Sequence, residues 1–258
     1  MARVPWIADT PWRIVMPLGG MFVLAAILEQ AGTLPAMIAR PIRLAAGHAV
    51  MLAIAMGWAG AARFAPAVAG IAAGATLLAH ATPAGAILYL SPALLIAHLT
   101  RRGHLARAGL GVACSWRAVA GGALVGALLG GHLIVSGSLT FGHRPTFVVA
   151  PALLGAIAYD VGLQVPATEL FLRGAIFNRA QRLAPFGIAT GVTTALAVIR
   201  YLVDPLLPPS AALVLGMVFY VSVLSVAACW LFWRYGSLAP ALGASTLFFV
   251  GYRLLGSR

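Results

Sequence analysis

Residues 148–178 read VVAPALLGAIAYDVGLQVPATELFLRGAIFN, a run in which only Asp160, Glu169 and Arg173 carry formal charge and Pro166 sits near the middle. As a single helix it would reach about 46 Å at 1.5 Å per residue, longer than the roughly 30 Å hydrocarbon core of a bilayer. Its length and Pro166 predict a kinked helix or two pieces. Three ionisable groups inside an apolar run are costly unless paired or hydrated, so each is a candidate for function.

The rest of the chain carries the same signature. Of 258 residues, 62% are apolar and 9% charged, and mean hydropathy is +0.98. Soluble domains hold roughly 25% charged residues, so a water-soluble globule is excluded. Apolar windows bounded by Arg, Pro and Gly fall near 14–34, 46–62, 64–80, 83–99, 118–137, 148–178, 184–203, 211–233 and 238–256. They predict an all-α, polytopic transmembrane bundle of eight or nine helices. The first window reads as an uncleaved helix, because no small-residue cleavage site follows Arg13.

All seventeen cationic residues are arginines, against five acids: Asp9, Glu29, Asp160, Glu169 and Asp204. A net charge of +12 would point to nucleic acid in a soluble protein, but here the arginines are spread over short loops, so no nucleic-acid partner is expected. Loop arginines set topology and touch anionic lipid. With the N-terminus inside, ten arginines fall on the inner side and five, Arg40, Arg43, Arg144, Arg253 and Arg258, on the outer. That bias implies a cytoplasmic N-terminus.

Two parts differ in character. Residues 1–145 hold small-residue spacings, Gly70/Gly74 and Gly122/Gly126/Gly130, which allow close helix approach. Residues 146–258 hold three of the acids and the two arginines inside spans, Arg173 and Arg200. Cys114 and Cys229 read as packing residues, and no cofactor or metal motif is present. Glu29 is a further ionisable candidate, and His48, His80 and His98 lie near expected span ends, where the interface hydrates them. His132, after the glycine stripe, is the histidine expected to face the interior.

Glu169 and Arg173 are four apart with the acid first, the spacing of an ion pair on one helix face. Arg200 and Asp204 repeat it in reverse order on the next span. Structural ion pairing is one reading of all four, and Arg200 is expected to bond Glu169 or Asp204.

The sequence Thr168-Glu169-x-x-x-Arg173-Gly174, followed by Tyr235-Gly236-Ser237-Leu238-Ala239-Pro240-Ala241, resembles the CPBP intramembrane proteases, the group of CAAX prenyl endopeptidases and of bacteriocin-processing or self-immunity proteins. The resemblance covers about the last 110 residues and, with a composition typical of a GC-rich genome, implies a bacterial inner membrane. It implies that Glu169 and Arg173 are remnants of the catalytic Glu-Glu-x-x-x-Arg motif, with Thr168 in place of the first glutamate. The family's Phe-x-x-x-His motif falls on Leu196 to Arg200, and His-x-x-x-Asn/Asp on Ser245 to Phe249. Arg200, Ser245 and Phe249 thus stand where the family has two histidines and a polar partner.

Such chemistry needs a carboxylate base and groups that position water and stabilise an oxyanion. A carboxylate held by an arginine is a weaker base. The expectation is a CPBP-like membrane protein without peptidase activity, binding a hydrophobic peptide or a membrane-protein partner. The alternative is an active glutamic endopeptidase using Glu169, with His132 replacing the lost histidines. A carrier for an anionic solute using Arg173 and Arg200 lacks the expected internal repeat.

Overall fold

Wherever about twenty apolar residues run between proline, glycine or arginine, the backbone satisfies its own hydrogen bonds as helix, the form that a bilayer demands. The computed structural model describes residues 5–81, 83–142, 151–208 and 210–255, and among them there are nine main helices and no strand. They are α1 (Trp12–Gln30), α2 (Ala36–Trp58), α3 (Ala65–Ala81), α4 (Leu90–Arg101) and α5 (Trp116–Phe141). Then follow α6 (residues 151–180), α7 (Phe186–Leu202), α8 (Ala211–Tyr235) and α9 (Ala239–Leu254). Five are long and apolar enough to cross a membrane on that ground alone. Exposed Leu24, Leu94, Leu128, Leu139, Leu215 and Phe219 give the bundle an apolar exterior suited to lipid.

The sixth element is not divided into two pieces. It stays helical from Pro151 to Ala180, but two stretches, Asp160–Gln164 and Leu170–Phe177, widen to π-helix. The Val165 N–H donates to the Asp160 carbonyl five residues back, and the Asn178 N–H reaches Arg173 in the same way. A proline ring collides with the carbonyl four residues earlier in an ordinary α-turn. The wide turn just before Pro166 removes that collision without breaking the helix. Nearly every residue from Asp160 to Phe177 is buried, so α6 is the central post of the bundle. Gly162 lets it touch the start of α4, since a Cβ there would meet the Tyr89 carbonyl.

α2 begins ten residues earlier than its apolar window. Arg40 and Arg43 lie inside it, held by Glu29 of α1 at 3.5 and 2.8 Å. Arg253 belongs to α9 and not to an outer loop. Arg3, Arg144, Arg258 and the start of the sixth window at residue 148 lie outside the described residues.

The Gly122/Gly126/Gly130 stripe of α5 packs on α9 backbone to backbone. A Cβ on Gly122 would meet the Pro240 carbonyl, one on Gly126 the Ala244 carbonyl, and Gly130 lies against Gly251. Gly70 and Gly74 do not act this way: nothing lies within 4 Å of a Cβ at either, so that face of α3 is open. The main core joins Leu52, Met56 and Val68 with Leu163, Leu170, Phe177 and Phe232, across the boundary at residue 145.

One end of the bundle gathers α1's start, the α2–α3 and α4–α5 links, α6's end and the α8–α9 link. Arg179 bonds Asp9 and the Trp58 carbonyl, Asn178 bonds the Arg107 carbonyl, and the Leu238 N–H donates to Gly109. Trp12, Trp58, Trp116, Trp230 and Trp233 all lie toward this end, with Arg13, Arg63, Arg101, Arg102, Arg107, Arg117, Arg182 and Arg234. Aromatic and arginine side chains at one level mark a membrane interface.

Candidate functional site

Four helices, α6 to α9, enclose a cleft of about 100 Å3. It runs from the middle of α6 to Leu206 and Pro208 in the α7–α8 link, at the end opposite the tryptophans. Thr168, Glu169, Arg173, Arg200, Ser245 and Phe249, six residues spread over 82 positions of sequence, all line it.

Glu169 and Arg173 sit on the second π stretch and the turn before it, each only 2% exposed. Glu169 Oε1 takes two bonds, from Arg173 Nη1 at 3.2 Å and from Ser245 Oγ on α9 at 2.6 Å. The short serine contact fits a hydroxyl donating to a carboxylate. The opposite carboxylate oxygen, Oε2, is buried with no hydrogen-bond partner among the described residues, and so are Thr168 Oγ1, Arg173 Nε and Tyr201 OH. Buried polar atoms are normally satisfied. All four of these residues line the cleft, so the cleft is chemically prepared for a polar group or water.

Arg200 reaches Asp204 at 3.4 Å and not Glu169. Asp204 also accepts from the Leu206 N–H at 2.9 Å, tying the pair to the α7–α8 link at the cleft's outer end. A third pair escaped the sequence reading. Arg253 of α9 grips Asp160 of α6 with two bonds, Nε to Oδ2 at 2.6 Å and Nη2 to Oδ1 at 2.9 Å. Arg253 lines the same cleft. The available signal was Asp160 itself, a lone acid in an apolar run that needed a cation from another helix.

The histidines lie elsewhere. His132 is on the exposed side of α5, where its Nδ1 is 2.7 Å from Tyr220 OH, and Tyr220 in turn meets Ser136 Oγ at 2.6 Å. It follows Gly130 by two residues, about 200° around the helix, and so turns away from the seam that the stripe makes with α9. His48 is buried within α2 and not hydrated at an end, with Nδ1 2.8 Å from the Leu44 carbonyl and Nε2 3.4 Å from Tyr159 OH. His80 meets the Thr76 carbonyl, and His104 packs on Phe64. Among the described residues no imidazole lines the cleft.

Chemically, this cleft holds one carboxylate oxygen free to accept, three guanidiniums each committed to an acid, and hydroxyls from Thr168, Tyr201 and Ser245. Neither a curated protein nor a solved structure matches the chain. Residues 146–248, which run from the approach to α6 to one position short of Phe249, match the family model of type II CAAX prenyl endopeptidase Rce1-like proteins, the CPBP family that the Glu169 and Arg173 motif resembles.

Proposed function

We propose that this membrane protein is a noncatalytic CPBP-type binding protein whose cleft takes a hydrophobic segment of a peptide or membrane-protein partner. The observation that carries this reading is the state of Glu169: the Oε1 that would serve as a base already accepts from Arg173 and Ser245. A general base must accept a proton from water while another group steadies the oxyanion. Arg200, at one lost histidine position, is engaged with Asp204, and Ser245, at the other, donates to the carboxylate itself. Phe249 adds an apolar wall in place of a polar one. The result favours holding a chain over cutting it. In this reading the protein sits in a bacterial inner membrane with the tryptophan and arginine end at the cytoplasmic surface, and the cleft meets its ligand from the opposite end.

One observation favours the alternative, a glutamic endopeptidase. Glu169 Oε2 is buried and unbonded, and a water there would have Arg173 beside it. The experiment that separates the two uses purified wild type and Glu169→Gln in detergent with a farnesylated CAAX-type peptide and an unprenylated membrane-spanning peptide. The expected outcome is no cleavage product by mass spectrometry from either protein, and a photo-crosslink from a benzophenone amino acid at Phe249 that excess peptide competes away. Product from wild type that Glu169→Gln fails to make establishes the endopeptidase. Absence of any competed crosslink overturns the binding reading.

A further inference from the structure

A second concavity, larger than the polar cleft and of opposite chemistry, lies on the other side of the α6–α9 wall. It is a groove of about 410 Å3 between α4, α6 and α9. On α4, Ala93, Ala97 and Arg101 recur every four residues, so two small side chains and one cation share a face. The back wall is Val165 and Pro166, just after the first π stretch, and Leu242 closes it from α9. The hydroxyl of Thr100 already donates to the Ile96 carbonyl, so it is not directed at a ligand. Arg101 ends α4 at the end that carries the tryptophans.

Arg101 is one of eight described arginines at this end without an acid partner, the others being Arg13, Arg63, Arg102, Arg107, Arg117, Arg182 and Arg234, and of the eight it is the one that lines the groove. All five acids of the chain are committed to other arginines: Asp9 to Arg179, Glu29 to Arg40 and Arg43, Asp160 to Arg253, Glu169 to Arg173, and Asp204 to Arg200. Among the described residues none is left for Arg101. A ligand for this groove is therefore apolar along its length and anionic at one end, at the level of the membrane interface. An extended peptide is a poor fit, because helix walls offer no backbone groups to its N–H and C=O groups, which are costly to leave unbonded away from water. An alkyl chain has no such groups. We infer that the α4–α6–α9 groove binds one acyl chain of an anionic glycerophospholipid, with Arg101 on its phosphate. This site stands apart from the polar cleft and does not depend on what the cleft binds.

The test incorporates the full-length protein into nanodiscs of equal phosphatidylglycerol and phosphatidylcholine, releases it into mild detergent and weighs it with retained lipid by native mass spectrometry. Wild type is expected to keep one phosphatidylglycerol in preference to phosphatidylcholine. Arg101→Gln should reduce that preference about fivefold, the effect of one arginine near an anionic lipid. Ala97→Trp should abolish retention of either lipid; Ala97 is exposed, so the larger side chain fills the groove without entering the core. If its melting temperature falls, Ala93→Phe supplies the same obstruction from one turn away. Arg117→Gln, at the same end but outside the groove, should match wild type. The inference is overturned if wild type keeps no lipid, or if a folded groove-filling variant retains lipid as wild type does. Arg117→Gln losing as much preference as Arg101→Gln also overturns it, as does displacement of phosphatidylglycerol by the farnesylated peptide.

Discussion

The two sides of α9 are built by opposite rules. Toward α5, Pro240, Ala244 and Gly251 meet Gly122, Gly126 and Gly130 so closely that no side chain fits between the backbones. Toward α6 and α7, Ser245, Phe249, Tyr252 and Arg253 face a cleft that holds ion pairs and unbonded polar atoms. Within a membrane, helices gain little from hiding apolar surface, so close packing of small residues holds them together. The seam thus supplies the rigidity against which an incompletely satisfied polar cleft can be kept open.

The largest expected effect comes from breaking the seam. Gly126→Leu places a Cβ on the Ala244 carbonyl, and a backbone oxygen in a helix cannot swing aside. Overpacking of this kind costs about 3 kcal/mol or more, so the variant should lose its folded peak in fluorescence-detected size exclusion, or melt far below wild type. Gly131→Leu, beside Gly130 of the stripe but with nothing within 4 Å of its Cβ, should stay within about 0.5 kcal/mol. Equal behaviour of the two would show that the seam does not carry the bundle.

Next is the cleft's own charge. Arg173→Met leaves the Glu169 carboxylate buried with Ser245 as its one remaining bond, and breaking a buried pair from one side costs about 3–5 kcal/mol. Arg173→Met with Glu169→Gln should recover much of that loss, because no uncompensated charge is left. Thermal melts of the single and double variants in one detergent measure the recovery. Purely additive losses would mean that the two side chains act on stability independently.

These contrasts also separate what the amino-acid sequence discloses from what it hides. Apolar windows of about twenty residues are a strong local signal, and all nine correspond to helices. The Gly122/Gly126/Gly130 spacing disclosed a close seam, yet the same kind of spacing at Gly70/Gly74 faces open space, because spacing does not say whether a partner helix is there. The start of α2 was hidden because Arg40 and Arg43 read as loop until Glu29 of another helix neutralises them. At the cleft, motif positions on three separated stretches could be aligned. The direction of each bond could not: Ser245 read only as the replacement of a histidine and turns out to be a donor to Glu169. Asp160 and Arg253 are 93 residues apart, beyond any local spacing rule.

The smallest effect sharpens the distinction between the cleft's depth and its outer end. Arg200 and Asp204 have the same four-residue separation as Glu169 and Arg173, but their side chains are 18% and 14% exposed and lie 3.4 Å apart. Arg200 also sits in the last turn of α7, where the helix dipole favours a cation with or without an acid nearby. Asp204 keeps its bond from the Leu206 N–H whatever happens to Arg200. Each member thus retains a second source of stabilisation, and the pair should be worth about 1 kcal/mol or less. Arg200→Leu should lower the melt only slightly, and Arg200→Leu with Asp204→Asn should show a correspondingly small coupling. A coupling as large as that of Glu169 and Arg173 would mean that the outer pair is as dry as the inner one, and that the cleft is sealed at both ends instead of open toward the α7–α8 link.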